Sequence, residues 1–276
     1  MTTSVLVPSS LVREADSKEE ATRKLGIVAR AAAVFRVDRL GIFPDPDGER
    51  RWGEGFVDAV LRYAATPPYL RKEAFGRRDE LECVGVLPPL RIPSWTGSES
   101  SDSGSLREGI VTQVGPEGRV RVNCGMQHPI SLRQPDGLSV AEGERVTVRV
   151  SSREPVRAKL VPEAPPGFRV ERVNHATALG RPDAGLRVAT SRAGKPLRIE
   201  RLVTLTDRIE RNGLTVSFGA PGRGLPEILG TRPETNSSDR DHPGFDTWLN
   251  TVPDQGSEVV RTEEALLATL GCLNLR

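Results

Sequence analysis

Short apolar runs, each a few residues long, alternate along this chain with stretches in which apolar residues recur every three or four positions. Val5, Leu6 and Val7, followed by Pro8, Ser9 and Ser10, read as a strand and a turn. Residues 16–20 offer a helix start with acids in its first turn, where they complement the helix dipole. Ala21, Leu25, Val28, Ala29, Ala32 and Ala33 then give that helix one buried face. Val34, Phe35 and Val37, with Leu40, Ile42 and Phe43, read as the exit into a second strand, closed by the turn residues of 44–48. The opening is therefore β–α–β. A second amphipathic helix is predicted over 52–66, with Phe56, Val57, Val60, Leu61 and Ala64 on one side. It ends at Pro67 and Pro68, because the residue before a proline leaves the α region.

The texture changes after the Gly- and Ser-rich stretch 97–105, which reads as a flexible loop. Five short β runs follow with no helix between them, at 109–114, 119–122, 129–132, 144–150 and 156–161. They predict a small barrel of oligonucleotide-binding type, and an SH3-like barrel would read the same way. Past the proline-rich hinge 162–166 the α/β texture returns, with strands at 168–173, 187–190 and 214–218. Residues 202–205 fit helix and strand equally. A last helix carries Leu266, Leu267 and Leu270 to a C-terminal glycine signal at Gly271. The fold class is thus α/β interrupted by a small all-β barrel: 1–76 and 166–276 form the α/β part, and 77–165 the barrel with its flanking segments.

Charged residues make up 28% of the 276 and mean hydropathy is −0.37, as in a soluble globular protein. No window approaches the ~20 apolar residues of a membrane span. The start lacks the basic flank and apolar core of a signal peptide, so a cytoplasmic location is expected. Net charge is only +2, which singles out no partner. Its distribution says more, because 166–213 is rich in arginine while 236–276 is acidic. Arginine forks suit phosphates and base edges, though a GC-rich genome produces the same bias. Cys83, Cys124 and Cys272 are isolated, and His128, His175 and His242 are scattered. They offer neither a disulfide framework nor a metal site, and each histidine reads as a surface or loop residue.

Two glycine-bearing loops dominate the last third. The first, 219–224, follows an apolar strand; the second, 250–256, leads through the β-branched pair Val259 and Val260 into the last helix. Such loops present bare backbone N–H and C=O groups at close range. Gly224 is followed by Leu225 and Pro226, so the lysine and hydroxyl of a P-loop are missing. The third glycine of a dinucleotide fingerprint is missing as well. A pocket for a neutral or cationic ligand, or a plain structural turn, remains. Thr262 reads as an N-cap, with Glu263 and Glu264 in the first turn behind Arg261.

Residues 29–31, 34–35, 37–38, 68–72, 84–90, 106–111, 218–219 with 222–225, and 250–270 resemble, in the same order, the archaeal and eukaryotic family of SPOUT-class RNA methyltransferases. The most specific pieces are 68–72 and 255–265. The resemblance implies a C-terminal trefoil knot, an inserted barrel of oligonucleotide-binding (OB) type, homodimerisation, S-adenosyl-L-methionine as methyl donor, and methylation of RNA, with uridine N3 in rRNA as the expected target. This chain departs from the family at Pro93, Ser94 and Trp95, where a histidine pair is usual, and at 172–176, where an aromatic start is usual. Carried over by position, the cofactor meets Thr190, Ser191 and Gly194, then Phe218, Gly219, Gly222 and Gly224, then Asn250, Gln255, Gly256 and Thr262. Leu225, Leu249 and Val260 pack around the adenine.

Uridine N3 carries a proton that must leave before or during methyl transfer. Arg261 is the candidate to stabilise charge on the base, and Glu263 or Glu264 the candidate proton acceptor. Tyr69, Arg71, Lys72, Arg119, Arg121, Arg145 and Arg149 are the candidates to grip RNA, whose unpaired bases are splayed and stacked. The rival reading is a non-catalytic RNA-binding protein whose α/β part is a dimerising scaffold.

Overall fold

Six parallel strands form the larger sheet: β1 (Thr3–Pro8), β2 (Arg39–Phe43), β8 (Arg169–Arg172), β9 (Leu186–Pro196), β10 (Leu214–Ser217) and β11 (Thr247–Asn250). Their order is β11-β9-β10-β1-β2-β8. The computed structural model describes residues 1–46, 51–53, 55–92, 105–135, 137–153, 155–230 and 244–274. Val5, Leu6 and Val7 are a continuous apolar run because β1 is central and covered on both faces, and all three are buried. Helices α1 (Lys18–Val34), α2 (Phe56–Ala65), α4 (His175–Leu179), α5 (Ile199–Asn212), α6 (Leu225–Leu229) and α7 (Thr262–Leu273) belong to the same unit. Ser17 caps α1, its hydroxyl accepting from the Glu20 amide at 3.1 Å.

Several elements depart from the sequence pattern. Helix α2 starts at Phe56 rather than 52, since Gly53 and Gly55 take φ of +85° and +97°, outside the helical region. Residues 202–205 are helical, inside α5. Helix α7 runs through Gly271 to Leu273, so that glycine does not end it. Strand β11 has no counterpart in the sequence pattern, because Thr247, Trp248, Leu249 and Asn250 hold only two adjacent apolar residues and show no alternation. Residues 191–194, beyond the expected strand 187–190, lie within β9 as well. The register passes from Ala189↔Trp248 to Lys195↔Leu249, so this segment bulges out between two paired stretches.

The chain divides into two compact units, Met1–Ala65, Glu80–Pro89 and Phe168–Arg276 in one, Thr66–Asp79 and Leu90–Gly167 in the other. The second unit holds α3 (Arg71–Ala74) and the strands β3 (Ser105–Val114), β4 (Arg119–Asn123), β5 (Ile130–Arg133), β6 (Arg145–Arg153) and β7 (Val156–Val161). These form an antiparallel sheet in the order β5-β4-β3-β6-β7, and β5 and β7 approach each other, so the sheet is nearly a closed barrel. Val111, Val120, Val122, Cys124, Val148 and Leu160 fill its core. The expected loop 97–105 lies outside the described residues except for Ser105, which begins β3. Pro93, Ser94, Trp95 and His242 lie outside them too. Among the described residues no helix is long and apolar enough to cross a membrane, and no cluster of His, Cys, Asp or Glu could hold a metal ion.

Candidate active site

A cleft of about 450 Å³ opens where β9, β10 and β11 end. This is the edge of a parallel sheet at which ligands bind, outside the carboxyl ends of the strands where the strand order turns back. Here the chain steps from β9 to β10 on one side, then returns to place β11 on the other. Thr190, Ser191, Phe218, Gly219, Gly222, Gly224, Leu225, Leu249, Asn250, Gln255, Val260 and Thr262 all line it, so three segments far apart in sequence share one cleft. Gly194 and Gly256 are not among the lining residues. Gly194 instead lets β9 touch β11, since a Cβ there would stand 2.6 Å from the Leu249 carbonyl carbon. A Cβ at Gly256 would meet nothing within 4 Å.

The glycine loop is a tight turn. Ala220 and Arg223 exchange backbone hydrogen bonds of 2.9 and 3.1 Å, and Gly222 supplies the left-handed φ of +65° between them. A Cβ on Gly219 would lie 2.6 Å from the Leu225 nitrogen, which is backbone and cannot swing away. The loop is tied to its surroundings by hydroxyls. Thr262 donates to the Gly219 carbonyl at 2.8 Å, and Thr190 donates to the Ser217 carbonyl at 2.9 Å. Asn250 accepts from the Val252 amide and donates to the Arg192 carbonyl, both at 3.1 Å, which holds the second loop against the bulge in β9. Leu225 and Leu249 are fully buried at the cleft floor.

Thr262 is not the N-cap of α7. Arg261 occupies that position, its amide donating to the Glu264 carboxylate at 2.9 Å, and Thr262 sits one residue inside with its hydroxyl spent on Gly219. Glu264 is exposed and works as a cap. Glu263 is buried, 3% exposed, with one carboxylate oxygen lacking a hydrogen-bond partner, and burial raises its pKa. Arg261 Nε lies 3.3 Å from Glu14, whose carboxylate also binds the buried Lys24 at 2.7 Å. None of Arg261, Glu263 and Glu264 is among the residues lining the cleft; among the described residues the lining charges are Arg192, Arg223, Glu227 and Glu258. Pattern reasoning passes over all four, and the only signal for Arg223 is its place inside the glycine loop.

His175 is neither a surface nor a loop residue. It begins α4, is 8% exposed, and packs edge-on against Phe43 at 4.8 Å, with Nε2 3.1 Å from the Ser217 hydroxyl. Burial lowers its pKa to about 4, so the ring is neutral.

In the second unit, Tyr69 is turned inward. Its ring lies where a Cβ of Gly125 would be, Arg107 stacks over it at 5.0 Å, and its hydroxyl donates to the Glu108 carbonyl at 3.0 Å. Arg71 donates to the Thr66 carbonyl. Arg145 pairs with Glu108 at 2.8 Å, and Arg149 with Glu163 at 2.6 Å. Lys72, Arg119 and Arg121 are exposed. Arg133, which the sequence pattern does not single out, is exposed opposite Arg119 on the neighbouring strand and extends that basic face.

Comparison with known proteins bears on this geometry. A protein of Halobacterium salinarum described as uncharacterized is 69% identical over 281 residues, covering 100% of this chain and 99% of its own length. A second, from Haloarcula marismortui, is 65% identical over 279 residues with the same coverage. The Homo sapiens 28S rRNA (uridine-N(3))-methyltransferase is 28% identical over 305 residues, covering 99% of this chain and 77% of its own. The model of the family described as "Putative RNA methyltransferase" matches residues 2–273. With that match running over nearly its whole length, this protein belongs to that RNA methyltransferase family.

Proposed function

We propose that this protein transfers a methyl group from S-adenosyl-L-methionine to a uridine N3 of ribosomal RNA. The observation that carries the reading is the shared cleft, whose walls are glycine backbone, hydroxyls and buried leucines rather than a lysine-bearing phosphate cradle. Its ~450 Å³ falls in the range for a cofactor-sized ligand. An adenine would lie between Leu225, Leu249 and Val260, with backbone N–H and C=O groups of 219–224 and 250–256 reading its edge. The cofactor, when bound, supplies an electrophilic methyl on a sulfonium. The chain's part is to hold the acceptor in line, exclude water and accept the N3 proton. Arg261 is the candidate for charge stabilisation, since Thr262 beside it lines the cleft.

The second unit serves to hold the RNA. Its strand order β5-β4-β3-β6-β7 supports a barrel of oligonucleotide-binding type over an SH3-like one, and Lys72, Arg119, Arg121 and Arg133 give it a basic exterior. The return of β11 and α7 onto the β9–β10 loops supports a trefoil knot in the last third. Helix α5 exposes Ile199 and Val203, one turn apart and 79% and 59% accessible, an apolar face suited to a second copy of the chain. The test is calorimetry with S-adenosyl-L-methionine, followed by methylation of ribosomal RNA with the labelled cofactor and mapping of the product. A protein that takes up no cofactor at millimolar concentration would instead be an RNA-binding scaffold.

A further inference from the structure

The segment that runs from the bulge of β9 to the start of α5 carries three exposed cations, Arg192, Lys195 and Arg198, against one exposed acid, Glu200. Its backbone is held at both ends by Asn250. The Asn250 side chain donates to the Arg192 carbonyl at 3.1 Å, and the Leu197 amide donates to the Asn250 carbonyl at 2.8 Å. Between them Gly194 packs its backbone against that of Leu249. The charged side chains on this fixed segment are unpaired. Other arginines of the same unit are held by acids: Arg39 by Asp183, Arg181 by Glu171, Arg187 by Asp246, and Arg223, on the cleft, by the buried Asp45 at 3.3 Å. Among the described residues, Arg192, Lys195 and Arg198 meet no carboxylate in ion-pair range. Helix stability does not account for them either. Arg198 is the N-cap residue of α5 and makes no side-chain cap hydrogen bond, and a cation at that end opposes the helix dipole. Arg192 lines the cleft, so the three cations follow one continuous segment away from its lip.

We propose that Arg192, Lys195 and Arg198 form a track for the phosphates of the RNA strand whose target nucleotide enters the cleft. The α/β unit thus carries an RNA-holding edge of its own, apart from the basic exterior of the second unit. This rests on the proposed cleft as the place of methyl transfer and goes beyond it. Cations on long side chains over a rigid backbone suit phosphates, which offer charge on every side, whereas reading a base edge needs donors in set geometry. Phosphate contacts fix where a strand runs and carry no sequence information, so the choice of nucleotide falls to the cleft itself. The two acids that line the cleft among the described residues, Glu227 and Glu258, belong to other segments, which leaves the β9 lip as the side that favours a polyanion.

The experiment measures the affinity of the full-length protein for a single-stranded fragment of ribosomal RNA at several salt concentrations, and for S-adenosyl-L-methionine by calorimetry. The proteins compared are the wild type, Lys195→Gln with Arg198→Gln, Arg192→Gln alone, and a charge-keeping pair, Lys195→Arg with Arg198→Lys. Each cation that neutralises a phosphate of a single strand adds ~0.7 to the slope of log affinity against log salt. The glutamine pair should therefore flatten that slope by up to ~1.4, and Arg192→Gln by up to ~0.7. The charge-keeping pair should retain the wild-type slope, because a phosphate accepts either cation. Cofactor affinity should be unaltered in both pairs, since neither Lys195 nor Arg198 lines the cleft. The substituted side chains are exposed, so the fold is expected to stand. A wild-type slope in the glutamine pair, or an equal flattening in the charge-keeping pair, overturns the proposal. So does an Arg192→Gln protein that loses cofactor and keeps RNA, or a glutamine pair whose sedimentation changes, which would place these residues between copies of the chain. A wild type that binds RNA with this salt dependence yet takes up no cofactor would refute the cofactor site itself, a different result from variants that bind RNA like the wild type.

Discussion

Three glycines of the cleft region meet three different surroundings, which makes alanine substitution a graded test of the site. A Cβ at Gly219 would stand 2.6 Å from the Leu225 nitrogen and 2.9 Å from the Gly224 carbonyl carbon. Ordinary contacts begin near 3.4 Å, so loop and helix start must separate by most of an ångström. Overpacking of this kind costs ~1–3 kcal/mol, and it displaces Leu225, a buried wall of the cleft. At Gly222 a Cβ meets open space, and the cost is the left-handed φ of +65°, about 1–2 kcal/mol. At Gly256 there is neither contact nor a left-handed φ, and the change should fall within about 0.5 kcal/mol. Thermal unfolding should therefore rank the variants, each kcal/mol lowering Tm by roughly 2–4 °C for a unit of this size. Calorimetry with S-adenosyl-L-methionine should show about a tenfold or larger loss of affinity for Gly219→Ala, since ~1.4 kcal/mol of displaced wall contact is one decade. A smaller loss is expected for Gly222→Ala and none for Gly256→Ala. A Gly219→Ala protein that binds cofactor like the wild type, or a Gly256→Ala protein that binds as poorly as Gly219→Ala, would refute the placement of the cofactor.

Stability should fall as pH drops from 6.5 towards 4, because the unfolded chain protonates His175 at its ordinary pKa of 6.5 while the folded chain resists until about 4. The full span corresponds to roughly 3 kcal/mol, and above pH 6.5 the group contributes nothing. Urea unfolding of His175→Gln at pH 7 and pH 4.5 should show a flatter pH dependence, and an unchanged slope would exclude this histidine as its source. The Arg261→Ala protein should fold and take up cofactor yet lose methyl transfer, as measured with labelled S-adenosyl-L-methionine; full activity would remove Arg261 from the mechanism. Replacing Arg119, Arg121 and Arg133 together by glutamine should weaken RNA binding and make it less sensitive to salt. The log–log slope should flatten by up to ~0.7–0.9 for each phosphate that these arginines neutralise, while cofactor affinity stays unaltered. RNA titrations at two salt concentrations that coincide with the wild type would show that this face is merely solvated.

The elements that could be read in advance are those with a strong local signal. The β–α–β opening was legible because Val5, Leu6 and Val7 form an unbroken apolar run and because α1 repeats its alanines at helical spacing behind acids in its first turn. The barrel strands were legible from alternation, as in β4, where Arg119 and Arg121 point outward and Val120 and Val122 inward. The two glycine loops stood out because glycine is the residue that lets backbone approach backbone. Their common cleft followed from the family resemblance rather than from any period in the chain.

The remainder depended on contacts between distant segments. Thr262 would be a good cap by composition, but its hydroxyl binds Gly219, 43 positions away, and Arg261 takes the cap position instead. His175 looks like a surface residue until Phe43 and Ser217 close over it. The bulge at 190–194 exists only because β11 pairs with β9 on both sides of it, and β11 itself, with two adjacent apolar residues between polar ones, carries no alternating signal. Propensity and periodicity act over a few residues and so decide which segments become helices and strands. Burial, charge pairing and the shape of the cleft are set by whichever distant backbone arrives alongside, as Asp45 does for Arg223, and that was decided by the tertiary structure alone.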